Sequence, residues 1–222
     1  KKHYKNDLKA TLTTEELTQA ETFGKSPNLM QAINDRIAQS GVVGEEKNRL
    51  FLFVVAFSHL MENPLNVIVQ GNSGSGKSHL IKKISHLVPQ DRVKRYTRLS
   101  EKVLFNFGEY DLCNTLIVIE DYDGIGEEAE YAVRELQSNR ILISGVSSKD
   151  EKSGDISQTD KTVRGPIASM VATTKGEVYQ DNATRVFFIA VDESQEQTER
   201  IIAYKNQLSA REINPKIQQE QT

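Results

Sequence analysis

Along the chain, short apolar runs alternate with longer stretches in which apolar residues recur at helical spacing. Leu65, Val67, Ile68 and Val69 form a run rich in β-branched residues, which reads as a buried strand. Leu116-Ile117-Val118-Ile119 reads the same way, and the segments 167–174 and 186–191 are two more apolar strands. Residues 93–98 alternate in the manner of a strand. Between these runs, Leu80, Ile81 and Ile84 mark one helix, and Ala129, Ala132, Val133 and Leu136 form the inner face of another over 127–136. Ser100 is placed to cap a short helix carrying Val103, Leu104 and Phe107, and residues 196–208 form a last helix. Ile141-Leu142-Ile143 and Thr162-Val163 flank a polar stretch, the pattern of a hairpin with a long tip. Strands alternating with helices predict an α/β fold, a mostly parallel sheet covered on both faces.

Ahead of the first strand the period is helical throughout. Thr13 or Thr14 caps a helix running toward Phe23, with Gly24 as its stop. Ser26-Pro27-Asn28 opens a second, with Leu29, Met30, Ile33 and Ile37 on one face and Gly41 past its end. A third, from near Glu45 through Leu60, is apolar on most sides and is expected to be buried. The organisation read from this is a helical extension over 1–62, an α/β unit over 63–210 and a tail over 211–222 without periodicity. Residues 1–10 are polar and basic, as in a frayed terminus.

Composition narrows the setting. At 222 residues the chain holds one sizeable α/β domain with an extension. A net charge of −3 gives no bulk attraction to nucleic acid, so any such contact needs a local basic patch. The single Cys113 excludes an internal disulfide and a Cys-rich zinc site. With no recognisable signal peptide, this predicts a reducing, cytoplasmic location. The longest apolar stretch, 50–57, is too short to span a bilayer, so no membrane association is expected. The chain begins at a lysine, which reads as a piece cut from something longer.

The chemistry concentrates after the first strand. Gly71-Asn72-Ser73-Gly74-Ser75-Gly76-Lys77-Ser78 satisfies GxxxxGK followed by Ser or Thr at every fixed position. A strand precedes it and a helix follows, the context the phosphate-loop motif needs; the alternative is a Gly/Ser-rich loop matching by chance. The glycines let backbone N–H groups curl toward a polyphosphate, and the helix N-terminus favours the negative charge. Lys77, expected to be a solvent-facing cation while the site is empty, is assigned to the β- and γ-phosphates, Ser78 to Mg²⁺, and His79 to the edge of the site. ATP and Mg²⁺ are the ligands expected.

Four apolar residues followed by Glu120-Asp121 supply the acidic pair that such a site requires at the end of a neighbouring strand. Glu120 takes the metal position and Asp121 the position that polarises water, the reverse of the usual Asp-Glu order. The plain alternative is an acidic turn closing a strand. The four histidines, His3, His59, His79 and His86, show no metal spacing.

The segment LIVIEDYDGI resembles the carboxylate-strand region of AAA+ proteins of the pre-sensor-1 hairpin group, particularly the minichromosome-maintenance helicases with their IDEFDK stretch. RELQSNRILIS is similar to their HEVMEQQTISI. A hairpin-like insertion follows, then ASMVATT with Thr173 and Thr174 at the sensor-1 position, and NATRVFFIAVDES resembles LSRFDLIFVVLDE. The likeness spans about residues 65–207, and similar cassettes occur in helicase-like proteins of mobile elements and phages, often joined to primase modules. It implies an ATPase and DNA helicase or translocase, with Lys77, Glu120, Asp121 and Thr174 catalytic and Arg185 a finger reaching a neighbouring subunit. A finger in trans implies a homo-oligomeric ring or filament, with a hexamer among the closed forms, and a primase module or other replication protein as partner. Lys149, Lys152 and Lys161 in the hairpin are the DNA contacts it implies, against the plain reading of a solvated loop, since 147–161 also carries four acids. Arg92, Lys94, Arg95 and Arg98 form a second cationic run, which reads equally as a blunted sheet edge.

Departures from the pattern keep two rival readings. The carboxylates are swapped, threonine replaces the sensor-1 asparagine, 100–111 is too short for a second hairpin insert, and the C-terminal lid is absent or reduced to one helix. These fit a helicase loader or remodelling switch that hydrolyses ATP slowly. The other rival is a non-enzymatic scaffold that keeps nucleotide for folding.

Overall fold

The computed structural model describes residues 12–149, 156–175 and 185–210, with side chains described outside 146–149 and 156–159. In chain order the elements are α1 (Thr14–Gly24), α2 (Leu29–Gln39), α3 (Glu46–Phe57), β1 (Asn66–Gln70) and α4 (Lys77–Ser85), then β2 (Val93–Tyr96), β3 (Thr115–Ile119) and α5 (Glu127–Ser138). The hairpin strands β4 (Ile141–Lys149) and β5 (Ile156–Arg164) follow, then β6 (Ile167–Thr173), β7 (Phe187–Ala190) and α6 (Gln195–Ser209). Five strands form one parallel sheet in the order β2-β3-β6-β1-β7, so the mostly parallel α/β architecture expected from the pattern is what forms. Strands β4 and β5 pair antiparallel in a two-stranded sheet of their own.

Strand alternation splits the core into two layers. Val67, Val69, Leu116, Val118, Met170 and Ala172 face one side, where α4 packs with Leu80, Ile81 and Ile84. Leu52, Val55 and Ala56 of α3 and Ile33 and Ile37 of α2 close the same layer, so these two helices share the sheet's core. On the other side Ile68, Ile117, Ile119 and Val171 meet Ala129, Ala132, Val133 and Leu136 of α5. The root of the hairpin joins this second layer through Leu142 and Val163.

Helix starts follow their caps. Thr13 accepts from the Glu16 N–H while the Glu16 carboxylate accepts from the Thr13 N–H, a complete capping box, and α1 has no buried residue. Ser194 caps α6 by accepting from Gln197.

Several expectations are corrected. α3 is not buried on most sides: Val54 is exposed, and so is Leu60 in the 3-10 turn that follows, because a helix lying on a sheet has only one face against it. Met30 likewise faces solvent. The helix expected after Ser100 is a single 3-10 turn, Leu104–Asn106, followed by a loop in which Asp111 accepts from the Gly108 N–H. The apolar run at 186–191 does form a strand, but at the edge of the sheet, with Phe187 and Phe188 exposed. The opposite edge, β2, carries Lys94 and Arg95 and is blunted accordingly.

Candidate nucleotide site

Parallel register brings three strand ends level. Gln70 stands opposite Thr173, Ile119 opposite Val171, and the Tyr122 N–H donates to Ala172 O. The loop 71–76, Thr173-Thr174 and Glu120-Asp121 therefore emerge side by side at the carboxyl ends of β1, β6 and β3, where α/β sheets bind ligands. The acidic pair stands two strand spacings from the phosphate loop, roughly 10 Å.

Within the loop, Gly74 and Gly76 have φ of +81° and +96°, a region that strongly favours glycine. Lys77 opens α4 and its Nζ donates to Gly71 O at 2.7 Å and Asn72 O at 2.6 Å. It is buried, which corrects the expectation of a solvent-facing cation: the short loop folds back over its own lysine. Ser78 sits beside it in the first turn, and Ser75 Oγ is buried without a partner.

Glu120 continues the side of β3 that carries Leu116 and Val118, the layer shared with α4, so alternation turns it toward the phosphate-loop helix. Asp121 turns the other way: its Oδ2 lies 2.6 Å from where a Cβ on Gly124 would stand, and Arg98 Nε is 3.1 Å from the same point. The threonines of β6 are held by a third acid. Thr173 Oγ1 donates to Asp123 Oδ1, and Thr174 donates to Oδ2 through its N–H at 2.7 Å and its hydroxyl at 2.6 Å. Burial pushes the Asp123 carboxyl up, but these bonds and nearby Lys175 outweigh it and hold it below the usual carboxylate range.

A cavity of about 420 Å³ adjoins the loop. One wall is the strap Gly41–Glu45, another the loop residues Gly74, Ser75 and Gly76 with His79 and Leu80, and the third α6 with Gln197, Ile201, Tyr204 and Leu208. Gln197 ties two of these walls together by donating to Val43 O at 2.7 Å, and Gly44, at φ +64°, leaves room for its amide. His79 Nε2 lies 3.2 Å from Gly41 O. The volume and its largely apolar lining suit a nucleobase next to a phosphate site.

Among comparisons with known proteins, a family model described as the MTBMA_p00010 P-loop domain matches residues 14–222. The chain belongs to that family. No curated protein matches it. A P-loop domain is built to receive the phosphates of a nucleotide, and here the cavity adjoins the loop while the acidic strand end stands two strands away at the same edge of the sheet.

Other expected residues of this P-loop domain lie elsewhere. Arg185 precedes β7 at the amino ends of the strands, beside Arg140 and Asn63 in a cavity of about 310 Å³. β1 is five residues long, so roughly 16 Å of sheet separates that end from the phosphate loop. Lys161 is on β5 opposite Ser144, and Lys149 ends β4, while Lys152 lies outside the described residues. Arg95 is occupied by Ser85 Oγ, Ser85 O and Gln90, Arg92 pairs with Asp91 at 3.3 Å, and Lys94 stands over Phe107. That run serves the β2 edge. Sequence reasoning missed Asp123, Glu193, Gln197 and the strap 41–45. The only local signals were two glycines around Val42-Val43 and an acidic step after an apolar strand.

Proposed function

We propose that this P-loop domain binds ATP with Mg²⁺ and hydrolyses it as an AAA+-type module, the motor part of a DNA helicase or translocase in replication or mobile-element maintenance. The observation that carries the reading is β6: a strand that ends at Thr173, with Thr174 next, stands between the phosphate-loop strand and the carboxylate strand, and a hairpin of two nine-residue strands precedes it. A polar sensor between the two motifs and a projecting hairpin are what the likeness to pre-sensor-1 hairpin ATPases leads one to expect.

Among the described residues no cluster of three or more His, Cys, Asp or Glu could hold a metal. That suits Mg²⁺ arriving with the nucleotide, since Mg²⁺ is usually held by one or two protein groups together with phosphates. Ser78 and Glu120 would be its protein ligands. Lys77 would exchange its two carbonyl partners for phosphate oxygens, and Asp121 would take the proton of the attacking water. Arg185, at the far end of the sheet, serves a site only in a second copy, which makes a closed homo-oligomeric ring the working assembly. The hairpin, with Lys149, Lys152 and Lys161, would contact DNA.

The turn of Asp121 toward Gly124 and Arg98 favours a second reading, a loader or remodelling switch in which hydrolysis is slow. ATP turnover measured with and without single-stranded DNA, together with particle mass in ATP, separates the two. DNA-stimulated turnover by a ring supports the motor. ATP binding with slow, DNA-independent turnover supports the switch.

A further inference from the structure

The phosphate loop is gripped from outside its own motif. Glu193, on the connection from β7 to α6, accepts from Asn72 twice, from the backbone N–H at Oε1 and from the side-chain amide at Oε2. The peptide group that supplies that N–H is Gly71–Asn72, and its carbonyl, Gly71 O, accepts from Lys77 Nζ at 2.7 Å. A single peptide unit thus has a carboxylate at its N–H end and an ammonium at its C=O end. Its dipole is aligned between the two charges, which resists rotation of the peptide plane. Asn72 O, one residue on, is the second acceptor of the same ammonium. The arrangement needs glycine at 71: a Cβ there would lie 2.6 Å from Val191 Cγ2, 2.7 Å from Ser75 Oγ and 2.8 Å from Glu193 Oε1.

We propose that Glu193 is a positioning residue for Lys77, acting through the Gly71–Asn72 peptide. Held this way, both carbonyls that present the ammonium stay in place until phosphate oxygens replace them, and the loop need not reorganise when nucleotide enters. Without the carboxylate the peptide plane is free to turn, Gly71 O leaves the ammonium, and Lys77 is no longer aimed. The inference rests on nucleotide binding at this loop, and it makes a claim the loop motif does not: an acid beyond β7 governs the phosphate half of the affinity. Simple charge repulsion between Glu193 and a polyphosphate predicts the opposite sign.

The test titrates the full chain with ATP and, separately, with adenosine, for wild type, Glu193→Ala and Glu193→Gln. The quantity read is the dissociation constant for adenosine divided by that for ATP, which isolates the phosphates. Glu193→Ala is expected to lower this ratio about fivefold to tenfold, the size of one exposed hydrogen bond, while the adenosine constant stays unchanged. Glu193→Gln keeps an oxygen for the Asn72 N–H, and its amide can meet Asn72 Oδ1 once that side chain turns over, so it should restore most of the loss. Three results overturn the proposal with wild-type ATP binding intact: unchanged ratios, tighter ATP binding in both variants, or ATP and adenosine weakened in step. If wild type binds no ATP, the nucleotide reading falls and the proposal with it.

Discussion

Lys77 is both a ligand group and part of the loop's own structure. Lys77→Ala should abolish measurable ATP binding or turnover while the chain stays folded, because the two carbonyls it leaves are near solvent and water replaces the ammonium. A titration showing wild-type affinity would remove the site. The acidic pair can be separated in the same way. Asp121→Asn should bind ATP and lose roughly 10²–10⁴ in turnover, the usual worth of a positioned base. Glu120→Gln should instead raise the Mg²⁺ concentration needed for half-maximal activity. Small, equal effects in both would reduce the strand end to an acidic turn. The order of the pair matters physically: Glu120 has one methylene more than the usual aspartate at the metal position, and Asp121 one fewer at the base position.

At the scale of elements, the turn after α3 carries a pH response. His59 is buried, with Nδ1 2.7 Å from Ala56 O, and burial holds its pKa below the ordinary value despite that bond. Burial depresses His86 as well, assisted by Arg95, Lys82 and Lys83. A histidine with a lowered folded-state pKa binds more protons unfolded than folded just below pH 6.5, so stability falls as pH drops through that range and is fully present above it. The urea midpoint should therefore decrease between pH 7.5 and 5.5, and His59→Asn should remove part of the slope. An unchanged slope in that variant would assign the effect to other groups. The hairpin is the opposite kind of element. Among its described side chains, Leu142 and Val163 at the root enter the core, and Ile143 is already exposed. Replacing 146–159 by a short turn should leave the thermal midpoint within a few degrees and ATP binding intact, while removing any DNA stimulation. Loss of ATP binding in that variant would show the hairpin to be structural.

For the whole molecule the question is whether one copy suffices. The phosphate loop and Arg185 lie at opposite ends of the same parallel sheet, and no movement of a side chain spans that distance. If Arg185 serves catalysis it does so in another copy, so specific activity should rise with protein concentration. Arg185→Ala should keep ATP binding, lose most turnover, and regain part of it when mixed with Lys77→Ala, which donates an intact arginine to the other variant's loop. The recovery is measurable because removing an arginine finger costs about 10³–10⁵ in rate. Concentration-independent turnover with no recovery on mixing would leave Arg185 a local structural cation. No described helix is long and apolar enough to cross a membrane.

What was legible in the sequence is what depends on neighbours along the chain. The phosphate loop was readable because eight consecutive residues carry it, and the strands at Val67–Val69 and Leu116–Ile119 because burial on both faces demands unbroken apolar runs. The inner face of α5 was readable because its period is local. Whether an apolar run becomes a central or an edge strand is decided by which strands pair beside it, so the run at 186–191 was legible as a strand while the exposure of Phe187 and Phe188 was not. The same limit hid the residues that complete the site. Glu193 meets Asn72 across 121 positions of sequence, Gln197 meets Val43 across 154, and Asp123 meets Thr174 across 51. Each pair comes together only once the parallel sheet has aligned its carboxyl ends, because a carboxylate or amide has no sequence period that announces its partner.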